Sequence, residues 1–255
     1  MRVRIPKSLL VLLGISLLIV LLDYRSGLIT DWVSTHRPPM SWEKFIEFTP
    51  YIFKGAVVTV QITVLGYALA VVVGLIIALA RMSKIWWLSI PFTIFMEFIR
   101  NTPLLVQLYF AFWVLPNFGI LLPAFGTGVV ALGIHFGAYL AECYRAGLEA
   151  VPRGQYEAAT SLNMPPMLSM RHIILPQAVR TVIPTMGNYL IGMFKATVFV
   201  SAIAVQEVMF NAYYLGSSTF RVFELYTLAA LFYFAMSFPA ARLVNALERH
   251  MNKDY

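Results

Sequence analysis

The sequence predicts an all-α integral membrane protein with six transmembrane helices. Of its 255 residues, 60% are apolar and only 12% are charged, whereas about 25% of the residues in soluble domains are charged. Its mean hydropathy is +0.75. A soluble fold of this size needs a more polar surface, so the composition argues against a cytosolic enzyme, a nucleic-acid-binding protein and a disordered chain.

Apolar runs locate the predicted spans, because a helix needs about 20 mostly apolar residues to cross the hydrocarbon core of a bilayer. The first run, 8–22, predicts an uncleaved anchor helix, since Asp23 and Arg25 stand where a signal peptidase requires small residues. A cleaved signal peptide is the alternative for this run. The other five spans are predicted at 53–80, 86–114, 126–147, 182–207 and 223–243.

Residues 24–52 predict a polar connector outside the membrane, with a short helix lying at the membrane interface. Ser41 is a suitable N-cap residue for this helix. Large apolar side chains on the helix favour contact with the bilayer surface. They are Trp42, Phe45, Ile46 and Phe48.

The distribution of basic residues predicts that both chain termini are cytoplasmic. In this orientation twelve of the 19 lysines and arginines lie on the cytoplasmic side and five lie outside, while Arg100 and Lys195 lie within spans. Topology thereby accounts for the net charge of +7, and no acidic partner is required.

Small residues at every fourth position predict that the spans pack against one another as a bundle. Lipid offers no hydrophobic drive for helices to associate, so close backbone approach at small residues is the main way to pack them. Two such stripes are present, Ala70, Gly74 and Ala78 in one span and Gly133, Gly137 and Ala141 in another.

The polar stretch 148–180, between the fourth and fifth predicted spans, is expected to form a cytoplasmic knob of two short helices. The first is predicted over 155–162, after Pro152. Asn163 is suited to the left-handed conformation that ends a helix, and the two prolines that follow prevent its continuation. The second short helix is predicted over about 166–174.

This stretch resembles a known family signature. Glu157-Ala158-Ala159, three residues, Asn163, nine residues, Ile173, one residue and Leu175-Pro176 match the spacing EAA-x3-G-x9-I-x-LP. That pattern is the EAA motif of the membrane subunits, or permeases, of bacterial ABC importers. Asn163 stands where the family usually has glycine, and asparagine is the next-best residue for a positive φ angle.

A narrower resemblance covers most of the chain. Residues 55–81, 95–110, 136–159 and 220–226 resemble the polar amino-acid branch, which includes histidine, glutamine, glutamate/aspartate, arginine and opine permeases. The resemblance implies a five-helix type I ABC importer core over residues 53–250, to which residues 1–52 add the anchor helix and the connector. It also implies a location in the bacterial inner membrane.

The resemblance further implies that a coupling loop, about 150–178, docks into an ABC ATPase subunit dimer. The other implied partners are a second permease, identical or related, an extracytoplasmic solute-binding protein and the lipid bilayer. No nucleic acid is expected. The residues expected at the ATPase contact are Arg153, Gly154, Glu157, Ala158, Ala159, Leu162, Asn163 and Arg171.

No catalytic or cofactor site is expected in this chain. It lacks the G-x-x-x-x-G-K-[ST] phosphate-binding loop, so a partner subunit must hydrolyse ATP. The single cysteine, Cys143, excludes an internal disulfide and makes a cysteine-ligated metal site implausible. Its histidines show no metal-ligand spacing, and they are His36, His135, His172 and His250.

Ionisable residues within spans are costly, so they are expected to pair or to line a cavity. Glu97 and Arg100, three residues apart, are candidates for the substrate path, and an internal ion pair or a dimer contact is the alternative. Glu142 and Arg145 repeat that spacing at the inner end of the fourth span, with the same alternatives.

Lys195 lies within the fifth span and has no acidic residue three or four positions away. Related permeases often carry K-D-T-S here, whereas this chain carries Lys195-Ala196-Thr197-Val198. We expect Asn188, Lys195 and Thr197 to line the translocation path, with Lys195 favouring a substrate that bears a carboxylate. The alternative is that Lys195 forms an ion pair with Glu97 or Glu207 and stabilises the bundle.

The predicted function is the permease subunit of an ABC importer for a polar amino acid or an amino-acid derivative. The main alternative is an ion-coupled secondary transporter, which predicts an inverted repeat and carboxylates near the membrane midplane. A membrane-embedded enzyme is a second alternative, and it would require a catalytic set that the sequence does not show.

Overall fold

The computed structural model describes residues 40–251, and every regular element in this range is helical. The predicted anchor helix at 8–22 and most of the connector lie outside the described residues. We label the α-helices of the described range α1 Trp42–Arg81, α2 Trp86–Asn101, α3 Leu104–Tyr109, α4 Ala124–Glu149, α5 Arg153–Ser161, α6 Pro166–Ser169, α7 Leu175–Ala196, α8 Val208–Thr219 and α9 Val222–Met251.

Four helical segments in the described range are long and apolar enough to cross a membrane, and a bent pair of helices makes a fifth when the pair is counted as one broken span. They are Trp42–Arg81, Ala124–Glu149, Pro166–Ile203 and Val222–Arg249, with the pair formed by Trp86–Asn101 and Leu104–Phe118. Each of them overlaps one of the spans predicted from residue 53 onward.

The predicted interfacial helix is not a separate element, because α1 runs without a break from Trp42 to Arg81. Ser41 caps the start of α1, as predicted, since its hydroxyl accepts from the Lys44 N–H. The helix continues through Pro50 although proline removes one backbone hydrogen bond. Burial of the preceding turns stabilises it, because Phe45 and Phe48 pack against α8 and α9 and not against the bilayer surface.

The third predicted span, 86–114, is wrong as a single helix, because the chain bends by 109° between α2 and α3. Thr102 precedes Pro103 and adopts an extended conformation, with φ −106° and ψ 134°, as expected of a residue before proline. The Gln107 side chain donates to the carbonyls of Ile99 (2.7 Å) and Thr102 (2.9 Å), which the break leaves free. The bend is therefore held by hydrogen bonds as well as by proline.

His135 of α4 connects that bend to the rest of the bundle. Its Nδ1 atom lies 3.1 Å from Gln107 Oε1, and its ring packs edge-on against Phe136 and at a tilt against Tyr139. Because an amide oxygen only accepts, Nδ1 carries the proton in this contact. His135 therefore has a structural role in the membrane.

The two small-residue stripes pack against each other, and α4 is the main packing partner of α1. A Cβ atom added to Gly74 would lie 2.8 Å from the Gly137 carbonyl oxygen, and one added to Gly133 would lie 2.7 Å from Leu69 Cδ2. Ala70 and Ala141 are completely buried. The predicted bundle contact is confirmed, and within the two stripes Gly74 makes the closest approach to a backbone atom.

We predict that Gly74→Ala destabilises the purified protein by about 1–3 kcal/mol, the usual effect of overpacking. The new methyl group would meet the backbone of Gly137, which cannot move aside as a flexible side chain can. Thermal unfolding in detergent measures the effect. Gly126→Ala is the matched control on α4, because its Cβ would make only an ordinary 3.4 Å contact with Pro123. Equal melting temperatures for the two variants would contradict the prediction.

Candidate functional site

The polar stretch after α4 is helical in both predicted places, but only the first helix, α5, stands apart from the membrane spans. The predicted helix at 155–162 corresponds to α5. The predicted second helix, 166–174, begins at Pro166 but continues through a π-helical turn, Met170–Ile174, directly into α7. Burial of Ile174, which is only 1% exposed, holds this turn against Val151 and Ala178. The stretch is thus a helix–turn leading into a membrane span.

Asn163 ends α5 in the left-handed conformation, with φ 52°, as predicted. The Asn163 N–H donates to the Thr160 carbonyl at 2.9 Å, and the Met164 N–H donates to the Ala159 carbonyl at 3.1 Å. These two bonds form a Schellman motif, which satisfies the last carbonyls of a helix. Asparagine therefore fills the position that the family usually gives to glycine and makes the same turn.

Two side-chain hydrogen bonds hold α5 to the membrane helices. The Tyr156 hydroxyl donates to the Leu148 carbonyl near the end of α4 (3.1 Å), and Gln177 of α7 donates to Gln155 (3.3 Å). Ala159 is 2% exposed and faces the bundle. Among the predicted coupling residues, Ala159 is therefore a packing residue in this chain.

The opposite face of α5 and its turn is exposed. Leu162 is 73% exposed and Met167 is 78% exposed, which is unusual for large apolar side chains outside a lipid-facing surface. The charged residues on this face, Arg153, Glu157 and Arg171, have no ion-pair partner within residues 40–249. The predicted coupling residues on this face are Arg153, Gly154, Glu157, Ala158, Leu162, Asn163 and Arg171, and we call them the α5 surface.

We predict that Asn163→Val loosens the end of α5, whereas Asn163→Gly does not. A left-handed conformation costs an ordinary L-residue about 1–2 kcal/mol, and a β-branched side chain is poorly suited to it. Hydrogen exchange measures the result, since the amides of Asn163 and Met164 are protected only while the Schellman motif is formed. Equal exchange at these amides in the two variants would refute the assignment of strain to this position.

The two membrane carboxylate–arginine pairs that the sequence predicts are both present. Arg100 lies 3.8 Å from Glu97 and packs over the Tyr139 ring, 5.5 Å from its centroid. Glu97 also accepts from Asn101 at 3.2 Å. Glu142 pairs with Arg145 and, beyond the prediction, with Arg81 of α1 at 2.9 Å. Glu97 and Arg100 thus neutralise each other on one helix, as the internal ion-pair interpretation requires.

Lys195 is exposed and forms no ion pair with any residue of the described range. The alternative pairing with Glu97 or Glu207 is absent in this part of the chain. Asn188 is also exposed, whereas Thr197 is completely buried and its hydroxyl donates to the Phe194 carbonyl at 2.6 Å. The three predicted path residues are therefore not equivalent.

Asn188 and Lys195 belong to a polar stripe along α7. The helical repeat of 3.6 residues places positions 181, 185, 188 and 195 within one narrow sector of the helix. All four side chains are polar and exposed, namely Thr181, Thr185, Asn188 and Lys195. Polar side chains in a span face a partner or water in preference to lipid, so this stripe is a candidate wall of a path.

Sequence reasoning missed the structural role of Glu207, considering it only as a partner of Lys195. It is completely buried and caps α8, because its carboxylate accepts from the Phe210 N–H at 2.7 Å. Tyr233 of α9 donates to the other carboxylate oxygen at 2.6 Å. The sequence does contain a signal for this cap, because Glu207 is an acidic residue directly before the segment that forms α8, where a carboxylate can accept from the first N–H groups.

Comparisons with known proteins agree with this geometry. A family model described as "Binding-protein-dependent transport system inner membrane component" matches residues 70–253. The chain is 38% identical to the probable amino-acid ABC transporter permease protein y4tG of Sinorhizobium fredii, over 82% of this chain and 90% of that protein. It is 37% identical to the probable glutamine ABC transporter permease protein GlnM of Bacillus subtilis, over 83% of this chain and 97% of that protein.

A solved structure shares the fold. The crystal structure of an amino acid ABC transporter with histidines matches with a TM-score of 0.80 and 38% identity, over 84% of this chain and 100% of that chain. The fold is therefore that of a type I ABC permease. The chain belongs to the family of inner-membrane components of binding-protein-dependent transport systems.

Membership of this family confirms the resemblance to ABC importer permeases that was inferred from the EAA motif. The relatives are named as amino-acid and glutamine ABC transporter permeases, which agrees with the amino-acid branch. These matches give no support to an ion-coupled secondary transporter. The described residues also contain no group of three or more histidine, cysteine, aspartate or glutamate side chains that could hold a metal ion.

Proposed function

We propose that this chain is the permease subunit of an ABC importer that moves a polar amino acid, or an amino-acid derivative such as an opine, across the bacterial inner membrane. The observation that carries the proposal is the α5 surface. A helix closed by Asn163 presents exposed charged and apolar side chains, while Tyr156 and Gln155 fasten it to α4 and α7. Such a surface can receive a mechanical displacement and pass it to the membrane helices.

The proposed topology has six spans and both termini in the cytoplasm. Residues 1–52 provide an anchor helix and an extracytoplasmic connector, and residues 53–250 provide the transport domain. This orientation puts Arg81 and the α5 surface on the cytoplasmic side and the start of α1 outside. The positive-inside distribution of basic residues supports it.

The proposed partners are an ABC ATPase dimer, a second permease and an extracytoplasmic solute-binding protein. ATP is hydrolysed in the ATPase subunits, and this chain contributes no cofactor, metal or catalytic group. Closure of the ATPase dimer draws the α5 surfaces of two permeases together and shifts a two-state equilibrium of the membrane helices. The names of the relatives support the amino-acid substrate.

The proposed substrate path runs along the polar stripe of α7, with Lys195 as the group that attracts a substrate carboxylate. An ammonium group without an acidic neighbour is available to an anionic group of the substrate. Glu97 and Arg100 stand beside the path as a mutually neutralised pair. Thr197 supports the end of α7 from within the bundle.

We predict that Glu157→Lys prevents attachment of the ATPase without destabilising the permease. Glu157 is exposed and unpaired within the described range, so the protein's own fold loses no interaction. Reversing a charge in a docking surface weakens binding by several kcal/mol when like charges meet. Co-purification of the ATPase with tagged permease measures the result, and a loss of at least about tenfold is expected.

Glu248→Lys is the matched control for that measurement. Glu248 is exposed near the inner end of α9 and carries the same change of charge on the same side of the membrane. We expect normal ATPase co-purification with this variant. Unchanged attachment and uptake with Glu157→Lys would refute the coupling function of the α5 surface.

We also predict that Lys195→Ala lowers amino-acid uptake by about tenfold or more, since a hydrogen bond to a charged group contributes about 1.5–3 kcal/mol. Uptake is measured in liposomes that contain the complete transporter, with glutamine, glutamate, histidine and arginine as candidate substrates. Lys54→Ala, at an exposed lysine on α1, is the control and should leave uptake unchanged. Intact uptake and unchanged substrate preference with Lys195→Ala would remove Lys195 from the path.

A further inference from the structure

A continuous chain of charged side chains joins the inner ends of α1 and α4. Glu142 of α4 accepts from Arg81 of α1 through Oε2 (2.9 Å) and from Arg145 through Oε1. Arg145 also donates to both carboxylate oxygens of Glu149 at 2.6 Å. The order of contacts is therefore Arg81, Glu142, Arg145 and Glu149.

Arg81 extends this chain to α2. Its Nε atom lies 3.4 Å from the Thr93 hydroxyl, and its Nη1 atom lies 2.8 Å from Met96 Sδ. The Ser89 hydroxyl donates to the Arg81 carbonyl at 2.8 Å. The Arg81 guanidinium thus joins α1 to both α2 and α4 at the end of the close α1–α4 contact.

The inner part of the chain is shielded from water and its outer end is not. The Arg81 and Glu142 side chains are 15% and 27% exposed, whereas the Glu149 side chain is 61% exposed. Partly buried ion pairs are screened less than exposed ones. The contact between Arg81 and Glu142 is therefore less screened by solvent than the contact between Arg145 and Glu149.

The exposed end adjoins the α5 surface. Glu149 is the last residue of α4, and α5 begins four residues later at Arg153. Tyr156 of α5 donates to the carbonyl of Leu148, the residue before Glu149. Any displacement of α5 therefore acts on the turn of α4 that carries Glu149.

Glu142 and Glu149 share one partner, Arg145, from opposite sides. A movement of the last turn of α4 changes the distance from Arg145 to Glu149, which leaves Arg145 free to shift its contacts toward Glu142. The Glu142 carboxylate then has a different balance of contacts with Arg145 and Arg81. Because Arg145 bridges two carboxylates, it can move its hydrogen bonds from one to the other without becoming unpaired. The free-energy cost of this shift is lower than that of leaving a charge without a partner.

We propose that Arg81 and Glu142 are positioning residues that relay the displacement of α5 to α1 and α2. They would make ATP hydrolysis in the partner subunits productive for transport without taking part in ATPase attachment. The inference rests on the proposed function, because it assumes that an ATPase drives α5. It goes beyond the proposed function because it identifies the contact between Arg81 and Glu142 as the one through which a movement of α5 reaches α1 and α2.

The test uses Glu142→Gln and Arg81→Gln in the complete transporter, with ATPase and binding protein, in liposomes. The probe is whichever of glutamine, glutamate, histidine and arginine the unmodified transporter takes up best. Three quantities are measured: ATPase co-purification, ATP hydrolysis without substrate, and substrate molecules imported per ATP hydrolysed. We expect the first two to stay within about twofold and the third to fall at least about tenfold.

A purely stabilising ion pair predicts a different pattern. Yield, attachment and hydrolysis would fall together, and the number of substrate molecules imported per ATP would not change. That pattern, or an unchanged ratio in a stable variant, would overturn the relay. Glu47→Gln removes the exposed Lys44–Glu47 pair near the outer end of α1 and is the control that should alter none of the three quantities.

Two further variants test the relay if Glu142→Gln and Arg81→Gln fold poorly. Arg81→Lys keeps the charge but not the forked contacts with Glu142, Thr93 and Met96, and Glu149→Gln changes only the exposed end of the chain. Both are expected to lower the import ratio by a smaller factor, and unchanged ratios in both would refute the relay. If the unmodified permease does not bind the ATPase at all, the proposed function fails instead, and the two failures are distinguishable.

Discussion

The close packing of α1 against α4 at Gly74 is the contact on which the rest of the structure depends. Within lipid, apolar side chains gain nothing from leaving water, so the two helices must be held by dense packing of their surfaces. Glycine permits this because the Gly137 carbonyl oxygen occupies the space that a Cβ would need. Once the two helices are in this register, the Tyr144 hydroxyl reaches the Val71 carbonyl at 3.3 Å and Arg81 reaches Glu142. The polar contacts at the C-terminal end of α1 therefore follow from an apolar contact nearer the middle of the helix.

The polar groups of the bundle fall into two classes. Glu142, Glu207 and Glu224 are each held by partners from more than one helix, and Glu224 accepts from both Ser41 and Arg221. Such groups stabilise one packing arrangement, because a charge left unpaired in this environment is costly. Lys195 has no such partner within residues 40–249. This contrast separates side chains that hold the helices together from side chains that are presented to something outside the described chain.

Sequence patterns predicted the membrane class, the approximate positions of the spans from residue 53 onward and the contact between the small-residue stripes. They also predicted the left-handed turn at Asn163, because residue type and spacing both act locally there. Patterns failed where tertiary packing decides the outcome. The predicted break between the interfacial helix and the span that begins at residue 53 does not occur, because burial of Phe45 and Phe48 keeps α1 continuous. Hydropathy could not show that the third span bends at Pro103, since both of its arms are apolar.

The candidate site was predictable in part for the same reason. The spacing of the EAA motif identified the α5 surface, because the motif is a contiguous stretch of chain. The contact between Arg81 and Glu142 joins residues 61 positions apart, and no local pattern encodes it. The burial of Thr197 and the partners of Glu207 likewise depend on how α7, α8 and α9 are arranged in space. The hydropathy of the sequence indicates that a polar group within a span needs a partner, but it does not identify that partner.

The length of α1 has a consequence for how the two faces of the membrane communicate. Its 40 residues extend for about 60 Å, roughly twice the thickness of the hydrocarbon core. The Glu224 carboxylate binds Ser41, which caps the N-terminal end of α1, and the Glu142 carboxylate binds Arg81 at the C-terminal end. A helix that is held by hydrogen bonds at both ends and packed closely at Gly74 moves more easily by tilting than by bending. Because α1 is one continuous helix, a tilt that moves its N-terminal end in one direction moves its C-terminal end in the other, so the two faces of the membrane are mechanically coupled through this helix.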